Sequence, residues 1–285
     1  MATVELAQAP GLRGLYTKAA SAMLPGRGKR HDGVPDTVLV LRRVRADRRR
    51  LTEYARVCGF PLTDTMPATY PHVLAFPLAL QLMTTPDFPF PAVRVIHLAN
   101  RIEQHRPLGA DEPLDLTVSV ADLRPHERGR QVDVVAEASV DGEQVWRDVS
   151  TYLHREGKRA GERPASGGED ESPEPTAVWR VSPDVGPAYA AVSGDRNPIH
   201  VSHLAARAFG FRRRIAHGMW TKARCLAQLA PRLPEAYDVD VTFRAPILLP
   251  STVNFTAQPT EEGWGLVVRS ARSGRPHLYG TVTRR

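Results

Sequence analysis

Gly194-Asp195-Arg196-Asn197-Pro198-Ile199-His200, followed by Ile215-Ala216-His217-Gly218-Met219, is the stretch on which the reading of this chain turns. A carboxylate and an imidazole stand five residues apart in a segment where Gly194 and Pro198 forbid a continuous helix, so the spacing predicts both in one rigid turn. After Gly218 the apolar residues Met219, Ala223, Leu226, Ala227 and Ala230 recur at the spacing of a buried helical face. A helix is therefore expected to start near Gly218. Its first amides lack partners within the helix, and its dipole favours an oxygen gaining negative charge at that end.

In isolation Gly-Asp-x-Asn-Pro most often makes an Asx turn beside a surface histidine. The downstream Ala216-His217-Gly218-Met219 changes the weighting, because the combination supplies an acid, a base and a helix terminus together. Ser-Gly-Asp-x-Asn-Pro-x-His joined at this separation to Ala-His-Gly-Met resembles the signature of the MaoC-like, (R)-specific hydratase and dehydratase family. That resemblance implies an α+β fold, a double hot-dog of two fused repeats, each an antiparallel sheet wrapped around one central helix. It places Asp195 and His200 on the catalytic pair and Gly218 on the oxyanion position, with no cofactor. Tyr189, Asn197, Pro198 and His217 are read as supporting residues. At position 202, where many members carry Asp, this chain has Ser202, itself a good N-cap for a short helix reaching Phe209.

Dehydration of a 3-hydroxyacyl thioester needs one group to take the C2 proton, another to protonate the departing hydroxyl, and donors for the enolate-like oxygen. His200 is assigned the C2 proton and Asp195 the hydroxyl or water, the exchange of roles being the open alternative. Gly218 is expected to keep a side chain from blocking the helix end. His217 is expected to pack or cap rather than react. A metal site built from Asp195, His200, His203 and His217 is set aside for want of a ligand motif such as His-Glu-x-x-His. A hot-dog thioesterase would need a water aimed at the carbonyl carbon, and a non-catalytic acyl-binding subunit would not need the intact pair.

Working outward, Tyr54-Ala55-Arg56-Val57-Cys58-Gly59 matches Tyr189-Ala190-Ala191-Val192-Ser193-Gly194, and Pro71-His72-Val73-Leu74 is set against Ala216-His217-Gly218-Met219. The Asp-x-Asn-Pro-x-His segment has no counterpart in this first copy. Alternation and turn residues predict strands over Thr37 to Val44, Val93 to Asn100, Leu114 to Val120, Gln131 to Val140 and Val145 to Leu153, then again over Val239 to Arg244, Val253 to Gln258, Gly265 to Ala271 and Leu278 to Thr283. Asp141-Gly142 and Ser273-Gly274 mark matching hairpins. Pro77 requires the first central helix to start late or kink. The organisation expected is a degenerate repeat over 1–155, a flexible linker over 156–176 rich in Gly, Pro and acidic residues, and a catalytic repeat over 177–285. Tyr54, His72 and His97 have no acid–base partner in a matching turn, so the first half reads as inactive. The two halves are expected to join sheet edge to sheet edge.

The 285 residues suffice for two modest cores, and Cys58 and Cys225 show neither metal-ligand spacing nor a disulfide framework, consistent with a reducing, cytoplasmic setting. No apolar run is long enough to span a bilayer, and no signal peptide is evident. The net charge of +7 gathers in arginine runs at 42–50 and 207–214, suited to the phosphates of coenzyme A or the acidic face of an acyl carrier protein. Neither zinc-finger spacing nor an aromatic RNA-binding signature accompanies them, so nucleic acid is not expected. The expected partners are an acyl-CoA or acyl-ACP thioester and, as a further candidate, a second copy in a homodimer. Where the first repeat lacks the inserted segment, a groove beside Leu74, Phe76, Leu78, Leu80 and Met83 is expected to receive the acyl chain.

Overall fold

The computed structural model describes residues 2–21, 32–156 and 174–285. In the first half the order is β1 (Ala2–Glu5), α1 (Leu12–Ser21), β2 (Thr37–Val44), α2 (Arg48–Cys58), β3 (Thr65–Met66), α3 (Tyr70–Met83), β4 (Val95–Gln104), β5 (Leu108–Gly109), β6 (Leu114–His126), β7 (Gly129–Val140) and β8 (Glu143–Arg155). The second half runs β9 (Ala177–Val181), α4 (Val185–Ser193), α5 (Pro198–Val201), α6 (His203–Ala208), α7 (Gly218–Leu229), β10 (Tyr237–Phe243), β11 (Ser251–Pro259), β12 (Gly263–Ser270) and β13 (Pro276–Arg284). The linker expected over 156–176 lies almost wholly outside the described residues, as does the basic stretch that follows α1.

Eleven strands form one sheet in the order β1-β2-β6-β7-β8-β4-β10-β13-β12-β11-β9. Apart from β1, the order is a mirror about the β4–β10 seam: β8 answers β13, β7 answers β12, β6 answers β11 and β2 answers β9. At that seam β4 and β10 pair antiparallel, with Ile102 opposite Val239 and Asn100 opposite Val241. Each half thereby covers the edge that the other would expose. This is the α+β double hot-dog arrangement, with α3 and α7 as the two central helices. Both are buried on most of their circumference, as helices enclosed by sheet must be.

The strands alternate buried and partly exposed residues, most cleanly in β6 and β7, which is what fixes their register. Asp141 (φ 50°) and Gly142 (φ 86°) both take positive φ, the backbone of a tight hairpin turn, and join β7 to β8. Pro77 neither delays nor ends α3, which runs from Tyr70 through it to Met83. Pro77 is itself buried, so packing around α3 compensates for the missing amide.

The repeat is real in three dimensions, with one shift of register. Tyr54 and Tyr189 both precede helix ends closed by a left-handed glycine, Gly59 at φ 82° and Gly194 at φ 81°. By helix position, however, the N-cap of α3 is Thr69 and that of α7 is His217, so Thr69 rather than His72 stands opposite His217. His72 sits within the first turn of α3 instead. A buried polar chain crosses the seam: Lys222 Nζ on α7 donates to the carbonyls of Asn100 (3.0 Å) and Val239 (3.0 Å) and to Asn100 Oδ1. Asn100 Nδ2 in turn donates to Asp148 Oδ1 at 2.9 Å. Both cysteines are buried and unpaired by disulfide, and among the described residues no helix is long and apolar enough to cross a membrane.

Candidate active site

The turn after α4 is built by local chemistry. Gly194 takes the left-handed conformation that ends α4, donating to Ala190 C=O at 3.0 Å, and Asp195 follows with its Oδ1 accepting the Asn197 amide at 3.1 Å. Asn197 caps α5 through Oδ1 to the Ile199 amide, and Pro198 supplies the first helical position, where no amide is needed. The Asx turn and the candidate acid–base pair are thus one object. Ser202 caps α6 by accepting from the Ala205 amide at 3.3 Å.

His200 is buried on α5, and its Nδ1 lies 2.8 Å from the Ile215 carbonyl. A carbonyl only accepts, so Nδ1 carries the proton and Nε2 keeps a free lone pair. His217 is also buried; its Nε2 donates to the main-chain carbonyl of Asp195 at 2.9 Å and lies 3.8 Å from Asp195 Oδ2. It stacks on His200 with ring centroids 3.7 Å apart, and the Tyr189 ring lies tilted at 50° to it with centroids 4.8 Å apart. No side-chain capping bond is made by His217, so it packs and braces rather than caps. Asp195 retains 31% side-chain exposure, the open face of an otherwise enclosed cluster.

The charge states follow from these surroundings. Burial pushes the Asp195 carboxyl up, but His217, His200, the Asn197 amide and the Tyr16 hydroxyl together hold it below its ordinary value. Burial pushes His200 down against the opposing pull of Asp195, and it pushes His217 down to about 3. At neutral pH the pair is therefore a carboxylate beside a neutral imidazole.

Gly218 is the first residue of α7, as expected, and the structure adds a second reason for glycine there. A Cβ there would meet the Phe243 ring of β10 at 3.0 Å, so the aromatic wall occupies the space a side chain would take. Gly186 on α4 has a comparable role, since a Cβ there would fall 2.2 Å from the His200 carbonyl and push α5 away.

Asp195, His200 and His217 each present a ligand atom within 4.8 Å of the others, whereas His203 is exposed on α6 and does not join them. One nitrogen of each imidazole is already bonded to a main-chain carbonyl. Gathering all three groups on one cation with the ring corner nearest Asp195 would require His217 to surrender its bond to the Asp195 carbonyl.

Several residues around the turn gave no sequence signal. Tyr16 on α1 bonds to the turn, and Arg50 Nε on α2 donates to Val192 C=O at 2.7 Å, closing the end of α4 from the other half. His72 does have a carboxylate partner, Asp148 on β8 at 2.9 Å, supplied by a strand rather than a turn. A pocket between α3 and strands β7 and β8 is lined by Ala75, Phe76, Ala79, Val134, Ala136 and Tyr152, with His72, Asp148 and Ser150 at its polar end. Of the five residues expected to flank a groove, only Phe76 does so; Leu78, Leu80 and Met83 are buried in the core. The helical period puts 72, 75, 76 and 79 on one face and turns 74 and 78 away from it. Phe76 also reaches the Gly194 turn, its ring edge lying 3.8 Å from where a Cβ on Gly194 would stand.

A double hot-dog with a carboxylate–imidazole pair beside a glycine-led helix is an arrangement suited to thioester hydro-lyase chemistry. Residues 167–268 match the family model described as MaoC like domain. The chain is 38% identical over 281 residues to 3-hydroxyacyl-thioester dehydratase X of Mycobacterium tuberculosis, covering 97% of this chain and 99% of that protein. The crystal structure of HtdX of Mycobacterium tuberculosis superposes with a TM-score of 0.79 at 37% identity, covering 87% of this chain and all of that one. A MaoC-like dehydratase from Phytophthora capsici, 17% identical with a TM-score of 0.66 over 88% of this chain and 96% of that one, shares the fold. The chain belongs to the MaoC-like dehydratase family.

Proposed function

We propose that the protein interconverts (3R)-3-hydroxyacyl and trans-2-enoyl thioesters, carried by coenzyme A or acyl carrier protein, in cytoplasmic fatty-acid metabolism. The observation that carries this reading is the charge state of the pair: an ionised Asp195 and a neutral His200 whose Nδ1 is committed to Ile215 C=O. Neither group then holds a labile proton at the outset. The proton taken from C2 must be the one delivered to the departing oxygen.

In the dehydration direction, His200 Nε2 accepts the C2 proton while the thioester oxygen gains charge against the first amides of α7, beginning at Gly218. The C3–O bond breaks as the C2–C3 double bond forms, and the imidazolium returns its proton to the hydroxyl, which leaves as water. Asp195 holds that hydroxyl by accepting its hydrogen bond and stabilises the transient imidazolium. Tyr189, Asn197, Pro198 and His217 keep the two groups aimed at one point. The acyl chain is directed toward the pocket between α3 and strands β7 and β8, which at about 10 Å³ must widen to admit it, so the first repeat serves binding and the second serves chemistry.

The test is loss of enoyl absorbance when the purified protein is mixed with crotonyl-CoA or dodecenoyl-CoA. Asp195→Asn and His200→Ala are each expected to lower kcat by about a hundredfold or more while the fold persists. Absence of hydration with both substrates, or near-full activity in either variant, overturns the reading.

A further inference from the structure

Tyr16 lies on α1, near the start of the first half, yet its hydroxyl is placed on the Gly194–Arg196 turn of the second. It accepts the Arg196 amide at 2.6 Å and lies 3.2 Å from Gly194 C=O and 3.3 Å from Asp195 Oδ1. One hydroxyl therefore touches three consecutive residues of the turn, with its single proton available to either of two acceptors. The approach of α1 is close: a Cβ on Gly194 would fall 2.6 Å from Leu12 Cδ1. The turn's internal bonds, from Ser193 Oγ to the Asp195 amide and from Asp195 to the Asn197 amide, restrain the backbone. Among the described residues, Tyr16 is the hydroxyl that bonds the Asp195 carboxylate from outside the turn.

We propose that Tyr16 is a positioning residue for the hydro-lyase reaction, fixing the rotamer of the Asp195 carboxylate toward the substrate and bolting α1 across the active turn. This rests on the assignment of Asp195 given above. Burial, and then the charge of Asp195, raise the Tyr16 phenol far beyond its ordinary value, so the hydroxyl keeps its proton at any working pH and is a permanent donor. Asp195 also interacts with His200 and His217, and its charge is felt by Tyr152 of β8 and His97 of β4.

The experiment is a double-mutant cycle on the full chain with crotonyl-CoA, using Tyr16→Phe, Asp195→Asn and the pair. Tyr16→Phe keeps the ring packed and removes only the hydroxyl. Its kcat is expected to fall by about tenfold or more with KM nearly unchanged, as for an interaction that matters to the transition state. The acidic limb of its kcat/KM profile is expected to move to higher pH, because a bond that holds the carboxylate ionised is gone. Adding Tyr16→Phe to Asp195→Asn is expected to cost little more than Asp195→Asn alone. An active Asp195→Asn enzyme sinks the assignment of the pair itself. An inactive Asp195→Asn enzyme beside a Tyr16→Phe enzyme of wild-type kcat and pH profile overturns only the role of Tyr16. So does a Tyr16→Phe loss that tracks a fall in Tm with an unmoved acidic limb, or fully additive losses.

Discussion

His200 and His217 lie face to face, their planes 24° from parallel and their centroids 3.7 Å apart, and each gives one nitrogen to a main-chain carbonyl. The two carbonyls, of Ile215 and Asp195, belong to the partner histidine's own neighbourhood, so the stack ties the turn to the start of α7. His217→Phe preserves an aromatic face for His200 and deletes the bond to Asp195 C=O. Its kcat is expected to drop by about tenfold or more, the scale of a lost positioning contact, with the stack keeping the protein folded. Steady-state rates with crotonyl-CoA and the thermal midpoint check both halves of that statement.

Burial lowers both His217 and His97 to about 3. Unfolded histidines titrate near 6.5, so between that pH and 3 the unfolded chain binds more protons than the folded one. Stability is then complete above the unfolded value and is lost as pH falls, by up to about 1.4 kcal/mol per pH unit for each such group. Urea denaturation at a series of pH values from neutral to 4 should show this decline, and His97→Phe should make it shallower.

Lys222 is fully buried and holds two main-chain carbonyls and the Asn100 side chain across the β4–β10 seam. Lys222→Met fills a similar volume but removes three hydrogen bonds to buried oxygens and one positive charge near Asp148, which keeps His72 and Asn100 as partners. A loss of about 3 kcal/mol is expected from breaking one side of such a buried network. The shift in urea midpoint at constant m-value measures it.

Gly218→Ala places a methyl group 3.0 Å from the Phe243 ring, which must yield by a few tenths of an ångström. The start of α7 then shifts from the reacting oxygen, and kcat should fall by about tenfold, a fraction of the cost of losing a whole oxyanion donor. Gly218→Ala combined with Phe243→Leu should recover part of that loss. No recovery would mean that the methyl group obstructs the substrate rather than the ring.

Filling the pocket beside α3 tests the acyl-chain proposal. Ala79→Phe should raise KM for dodecenoyl-CoA and leave crotonyl-CoA turnover near wild type, since each buried methylene contributes about 0.8 kcal/mol before ordering costs. Equal effects on both substrates would remove this pocket from consideration.

What the sequence by itself determined is what short-range chemistry governs. The Asx turn at Asp195 and the Ser202 cap are decided within a few residues and were legible; the left-handed end of α4 at Gly194, the Asn197 cap and Pro198 opening α5 obey equally short-range rules but were not among the expectations. The strand series and its repetition were legible too, because alternation and hairpin turns are local patterns, and the relatives confirm the family to which they point. Tertiary structure alone decided the rest. Tyr16 meets Asp195 across 179 positions of chain, and Lys222 meets Asn100 across 122. The tyrosine in an amphipathic helix and the lysine in an apolar one carry no mark of their partners. The face of α3 turned to the pocket and the match of Thr69 rather than His72 with His217 depended on where each helix begins. A one-turn difference in that start moves a side chain along the helix, and only packing against the shared sheet fixes it.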